Sequence, residues 1–169
     1  MPPLEAPRDR SVRARYFNAF RLASYLLVLY ALGHTTGAVV STPRFGPDSD
    51  AVVAMMKSVH VTAQGVDCTW YGFYRGFGVL VSVFFVFSAI LTWQLGGMTA
   101  RERRPLAPVL WALFLGYVAT AAVTWVSFFP VPLVFSTAIA ALLGFACVKK
   151  ERGDEGMKGR EVAGEVFGA

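Results

Sequence analysis

The chain has only two cysteines and two histidines, and over long stretches it has no charge at all. No Asp, Glu, Lys or Arg occurs in residues 22–43, 76–100 or 105–148. Two cysteines are too few for the disulfide framework of a small secreted domain or for a four-thiolate zinc site. Cys68 and Cys147 are expected near opposite ends of membrane spans, separated by about 30 Å of bilayer. A disulfide needs Cα atoms roughly 6 Å apart, so no intrachain bridge is expected, and the redox compartment cannot be read from them. There is no P-loop, no dinucleotide-binding glycine fingerprint, no serine nucleophile elbow and no metal-binding Cys/His pair. No cofactor or metal is therefore expected.

What is present is apolar length. Hydrophobic residues make up 55% of the 169 and the mean hydropathy is +0.50. Four apolar runs, at about 22–40, 72–95, 106–129 and 131–148, have the length that a helix needs to cross a bilayer core. Backbone in lipid must satisfy its own hydrogen bonds, so each run is read as a helix. The expected fold is all-α: a four-helix transmembrane bundle with a short amphipathic outer-loop helix. The longest segment outside the runs is about 30 residues, too short for a soluble domain. Residues 16–148 then form a single domain, preceded by a disordered basic segment at 1–15 and followed by a flexible cytosolic tail at 149–169. The first run is longer than a signal-peptide core and lacks a small-x-small cleavage site, so it is read as a retained anchor.

The net charge of +5 is no sign of nucleic-acid binding, because the cations flank the runs. Arg8, Arg10, Arg13, Arg15 and Arg21 precede the first run, and Arg101, Arg103 and Arg104 separate the second from the third. Lys149, Lys150, Arg152, Lys158 and Arg160 follow the fourth. Residues 41–71 hold only Arg44 and Lys57 as cations. The positive-inside rule puts both termini in the cytosol and this loop outside or in a lumen. The membrane would be the endoplasmic reticulum in a eukaryote or the inner membrane in a bacterium.

Within the loop, Asp48, Ser49 and Asp50 read as helix caps, and Val52, Met55, Met56 and Val59 recur at helical spacing. The outer-loop helix is expected to run on through His60 and end before Gly65, with Lys57 and His60 on one face. Gly33 with Gly37, and Gly72 with Gly76, have the small-xxx-small spacing that permits close helix packing. Tyr117, Thr120, Thr124 and Ser127 share a helical face.

Reactive side chains gather toward the outer end. His34 lies about two-thirds of the way along the first run at 1.5 Å per residue. Ionisable groups inside a membrane are costly and so are functional candidates. His34, whose ordinary pKa near 6.5 suits either role, is the expected acid/base group. His60 or Asp67 would orient it or relay protons, and Lys57 or Arg75 would stabilise developing negative charge. Tyr30, Thr35, Trp70, Tyr74, Thr124 and Trp125 are the expected substrate contacts.

Gly33-His34-Thr35, Met56-Lys57-x-x-His60 and Phe73-Tyr74-x-Gly76-Phe77-Gly78, in that order, resemble a largely uncharacterised family of small four-helix membrane proteins, DoxX-like in architecture. The likeness covers roughly residues 22–95. It implies a four-helix membrane fold and marks His34, Lys57 and His60, but supplies no reaction. Relatives often have an aromatic-acidic pair before Phe-Tyr, where this chain has Tyr71-Gly72.

The reading that follows is a cofactor-independent proton-transfer enzyme: an isomerase, cyclase or epoxide-opening enzyme acting on a lipophilic small molecule, in the setting of secondary metabolism. The alternative is a non-catalytic membrane subunit or scaffold. A bis-histidine haem protein using His34 and His60 is a third. Expected partners are the lipid bilayer, the lipophilic molecule, and a second copy of the chain or a pathway protein, but no nucleic acid. The topology is testable by cysteine labelling. Ser49→Cys in a cysteine-free background should react with an impermeant maleimide from the exterior or lumenal side. Reaction only after the cytosolic face is opened would contradict it.

Overall fold

The computed structural model describes residues 18–41 and 46–167, with side chains as far as Val148 except those of Ala38 and Ala100. The expected disordered segment at 1–15, the loop residues 42–45 and the last two residues lie outside the described residues.

Helix α1 (Ala19–His34) is started by Asn18, whose side-chain oxygen accepts from the Phe20 amide at 3.1 Å. Phe20, Ala23, Ser24, Leu27, Tyr30 and Ala31 form its buried stripe at helical spacing. The winding then changes, and Thr35–Val40 is a π-helix. The hydroxyls of Thr35 and Thr36 bond back to Ala31 O at 2.7 Å and Leu32 O at 2.8 Å. Such bonds compete with the i→i−4 ladder and loosen it. Pro47 and the acidic Asp48 and Asp50 begin α2 (Pro47–Ser58), which has no buried residue.

After α2 comes a hairpin rather than more helix. Strands β1 (His60–Ala63) and β2 (Val66–Thr69) pair antiparallel, with His60 opposite Thr69 and Ala63 opposite Val66. The two linking residues, Gln64 (φ 52) and Gly65 (φ 82), both have positive φ, as a type I′ turn requires. This corrects the expectation that the loop helix runs through His60. Val59, Val61, Thr62, Val66 and Thr69 are β-branched and favour strands, and the Gln-Gly pair supplies the turn.

Thr69 caps α3 (Trp70–Gly97) by accepting from the Gly72 amide at 3.0 Å. A one-turn helix α4 (Ala100–Arg103) with a Thr99–Glu102 capping box, and a 3₁₀ turn at Arg104–Leu106, lead into α5 (Ala107–Ser127). Helix α6 (Pro130–Phe167) carries helical backbone into the segment that the sequence reads as a flexible tail.

The long helices pack in the order α3, α1, α6, α5. The ring of Tyr30 joins three of them, stacked on Phe85 of α3 at 4.2 Å and on Phe135 of α6 at 5.2 Å. At the other end of α1, two side chains reach the last carbonyls of α3. The Asn18 amide donates to Gly96 O at 2.6 Å and Arg103 donates to Leu95 O at 3.0 Å. The guanidinium of Arg21 lies 3.6 Å from the Trp93 ring centroid, and its stem fills the space that a side chain at Gly96 would need.

Three stretches are long and apolar enough to cross a membrane: Trp70–Gly97, Arg101–Ser127 and Pro130–Val148. At most a third of any of their apolar windows is buried inside the protein. More apolar surface therefore faces outward than inward, which lipid tolerates and water does not. The 16 residues of α1 span about 24 Å as α-helix, and the π segment lengthens it.

The glycine pairs make none of the expected close contacts. A Cβ added at Gly33, Gly37 or Gly76 would meet nothing within 4 Å, and one at Gly72 would meet only its own cap, Thr69. Gly144 is the tight position, where an added Cβ would lie 2.7 Å from the Phe114 ring across the α5–α6 contact. Gly144→Leu should therefore cost about 1–3 kcal/mol by overpacking. Gly37→Leu should cost less than about 1 kcal/mol. Thermal unfolding of the two variants in detergent checks the contrast.

Candidate functional site

The expected site residues fall into four groups. His34 ends α1, and its half-buried ring turns toward α3. Its Nδ1 lies 3.1 Å from the Ser82 hydroxyl, and its ring meets Phe85 edge-on at 5.7 Å. Thr35 is part of the same network, with its hydroxyl 2.8 Å from that of Ser82 and 2.7 Å from Ala31 O. Ser82 also lies 3.2 Å from Gly78 O. Tyr30, one turn before His34, is the core ring stacked between Phe85 and Phe135. A neutral imidazole among apolar side chains needs this kind of polar anchor, and here it is a hydroxyl of the neighbouring helix. The π-helix that starts at Thr35 adds to the case, because such irregular turns recur at functional sites.

The second group is His60 with Asp67. They are diagonal neighbours on one face of the hairpin, with Nδ1 2.9 Å from Oδ2. Both side chains are 60% exposed, so the pair contributes little stability. The third group surrounds Tyr71. The Lys57 ammonium lies 4.8 Å from its ring centroid, the Arg75 guanidinium 6.0 Å, and Tyr74 stacks on it at 6.3 Å. Among the described residues neither cation has a carboxylate within ion-pair distance. Trp70 instead leans on Phe73 at 6.0 Å. The fourth group lies between α5 and α6. Thr124 and Ser136 share a buried hydrogen bond of 2.7 Å, and the Trp125 indole donates to Thr137 at 3.3 Å.

Among the described residues, the hydrogen-bond and ring partners of His34 are confined to the first group. His60, Asp67, Lys57 and Arg75 contact one another or Tyr71, not His34. Lys57 and His60, expected on one helical face, are on α2 and β1. Sequence reasoning missed Ser82, which is the nearest polar partner of His34. A lone serine inside an apolar run carries no signal until its helix is docked. An open apolar groove of about 690 Å³ lies between the hairpin and α3, lined by Val66, Cys68, Gly72, Phe73, Gly76 and Phe77 among others. His34 does not line it. Among the described residues no cluster of three His, Cys, Asp or Glu side chains is placed to hold a metal ion.

Asp67→Asn removes the only carboxylate from an exposed pair. It should lower stability by less than about 1 kcal/mol, measured by thermal unfolding in detergent. Comparison with protein-family models, curated proteins and solved structures finds no match to this chain.

Proposed function

We propose that the protein is a four-helix integral membrane protein, with α1 and its π extension as the fourth span, and that it catalyses cofactor-independent proton transfer on a lipophilic small molecule reaching it from the bilayer. Isomerisation, cyclisation and epoxide opening are the reactions of this class, and secondary metabolism is the setting. The resemblance to DoxX-like membrane proteins belongs to the same reading. It rests on the Gly33-His34-Thr35, Met56-Lys57-x-x-His60 and Phe73-Tyr74-x-Gly76-Phe77-Gly78 motifs.

One observation carries the proposal. The His34 imidazole is held by Ser82 through Nδ1, whereas Nε2 has no hydrogen-bond partner among the described residues. It is also not sealed from the surface, because no fully buried side-chain N or O there lacks a partner. An anchored imidazole with one open nitrogen has the form of a general acid or base. Phe85 and Tyr30 beside it give a reacting molecule apolar surroundings. In this reading Lys57 and Arg75, held near Tyr71 without an acidic partner, attract an anionic or carbonyl-bearing substrate to the outer end. The exposed His60–Asp67 pair acts apart from His34.

The scaffold reading has its own support. Gly33, Gly37 and Gly76 have open space in front of them and offer close approach to a partner helix. Haem ligation by two histidines ordinarily uses residues on packed helices, and His60 is on an exposed strand.

His34→Gln separates enzyme from scaffold. Glutamine keeps approximate size and hydrogen bonding but cannot cycle a proton near neutral pH. Expressed at wild-type level in a host deleted for the gene, the variant should lose product formation by about 10²–10⁴-fold, with the unconverted precursor seen in the lipid-phase metabolite profile. His60→Gln should lose far less. Full product formation by His34→Gln at equal membrane protein level would leave the scaffold reading.

A further inference from the structure

We propose that the groove between the hairpin and α3 is a lipid site, in which one acyl chain of a bilayer phospholipid lies between the two. The proposal rests on the integral-membrane part of the reading above and not on its catalytic part.

The hairpin has two unlike faces. Alternation puts Val61, Ala63, Val66 and Cys68 on one face, and His60, Thr62, Asp67 and Thr69 on the other. Ala63, Val66 and Cys68 of the apolar face form one wall of the groove. A two-stranded hairpin is stable only when such a face is covered. Here α3 faces it across a gap of about 690 Å³. The facing wall is Gly72, Phe73, Gly76, Phe77 and Leu80, and the two glycines keep its floor low. A Cβ added at Gly76 would meet nothing within 4 Å.

The groove faces away from the bundle. Gly78, Ser82, Phe85 and Ala89 are the α3 residues that meet the helix of His34 and its π extension. At about 100° per residue they lie on the side of α3 opposite the groove residues. Helix α3 is also an end member of the packing order, and Phe77 and Leu80 are each more than half exposed. In a bilayer this side meets lipid. Trp93, under the Arg21 guanidinium, belongs at the inner boundary. About 20 helical residues cross the hydrocarbon core, which brings its outer boundary close to Phe73. The groove therefore opens at headgroup level under the hairpin and runs down into the hydrocarbon.

Size and chemistry choose the occupant. Residues 72–80 rise about 12 Å along the axis, and a helix 10–12 Å wide needs about 900 Å³ over that length. The groove is smaller than that and falls within the 300–1,000 Å³ of sites for small apolar ligands. Among the described residues its lining carries no charge, and Gln64 in the turn is able to donate to an ester oxygen. A phospholipid has this pattern, an apolar chain below an ester, and the bilayer supplies it at this height in great excess.

The test is photolabelling in phosphatidylcholine vesicles that contain a small fraction of phosphatidylcholine with a mid-chain diazirine. Illumination, proteolysis and mass spectrometry then locate the adducts. The intact protein should be labelled on residues 63–68 and 72–80, as well as on exposed α5 residues such as Val123 and Val126. Gly76→Phe fills the groove from its floor. It should cut labelling of residues 63–68 about tenfold, the loss expected when two methylenes no longer fit, and leave α5 labelling unchanged. Gly116→Phe, at an equally open glycine of α5, should leave hairpin labelling unchanged. Val66→Asp puts a carboxylate on the groove wall at an exposed position and should also reduce it, so it decides the matter if Gly76→Phe does not fold. An unlabelled hairpin beside a labelled α5 would overturn the proposal and leave the membrane reading intact. Labelling of neither would remove both. Undiminished hairpin labelling in folded Gly76→Phe would overturn the proposal, as would a hairpin that stays unlabelled and instead forms an oxidative Cys68–Cys68 crosslink to a second copy.

Discussion

Lipid offers no hydrogen bonds, and much of this fold follows from how its polar groups are satisfied without them. Thr92, Thr120 and Ser136 bond to carbonyls one turn back in their own helices. Ser24 crosses from α1 to Ala89 O of α3, and Thr124 meets Ser136 between α5 and α6. The carbonyls at the end of α3 are met by Asn18 and Arg103. Among the described residues no fully buried side-chain nitrogen or oxygen is left over. Against this background an imidazole nitrogen without a partner stands out.

The same constraint shapes the surroundings of His34 on α1. Its first turns are fixed to α3 by Asn18 and by Ser24, and its middle is fixed to α3 and α6 by Tyr30. Past Tyr30, among the described residues, the side-chain hydrogen bonds tying this segment to α3 are those of His34 and Thr35 to Ser82. From Thr35 the helix widens into the π segment. The imidazole thus sits where α1 passes from tight packing to looser winding.

The apolar helices were legible in the sequence and the candidate site was legible only in part. The runs at 72–95, 106–129 and 131–148 correspond to α3, α5 and the first part of α6, because an uninterrupted apolar stretch of that length leaves the chain few options in lipid. The hairpin was not legible. Met55, Met56 and Val59 continue a helical spacing up to the strand, and the deciding Gln64-Gly65 turn is two residues long. Gly33 and Gly37 misled because a small-xxx-small spacing is the same whether its face meets a helix or looks outward. His34 was singled out because an ionisable group in an apolar run is conspicuous. Ser82 was missed because its meaning depends on a contact 48 positions away in the chain.

The central claim is that Nε2 of His34, which has no hydrogen-bond partner among the described residues, is open to a reacting molecule. Diethyl pyrocarbonate tests it directly, since the reagent is small, enters bilayers and acylates the unprotonated imidazole nitrogen that it can reach. In protein reconstituted into vesicles, mass spectrometry should find His34 modified, as well as the exposed His60. Modification of His60 with complete protection of His34 in the folded protein would contradict the claim, because the ring would then be closed and its role confined to joining α1 to α3.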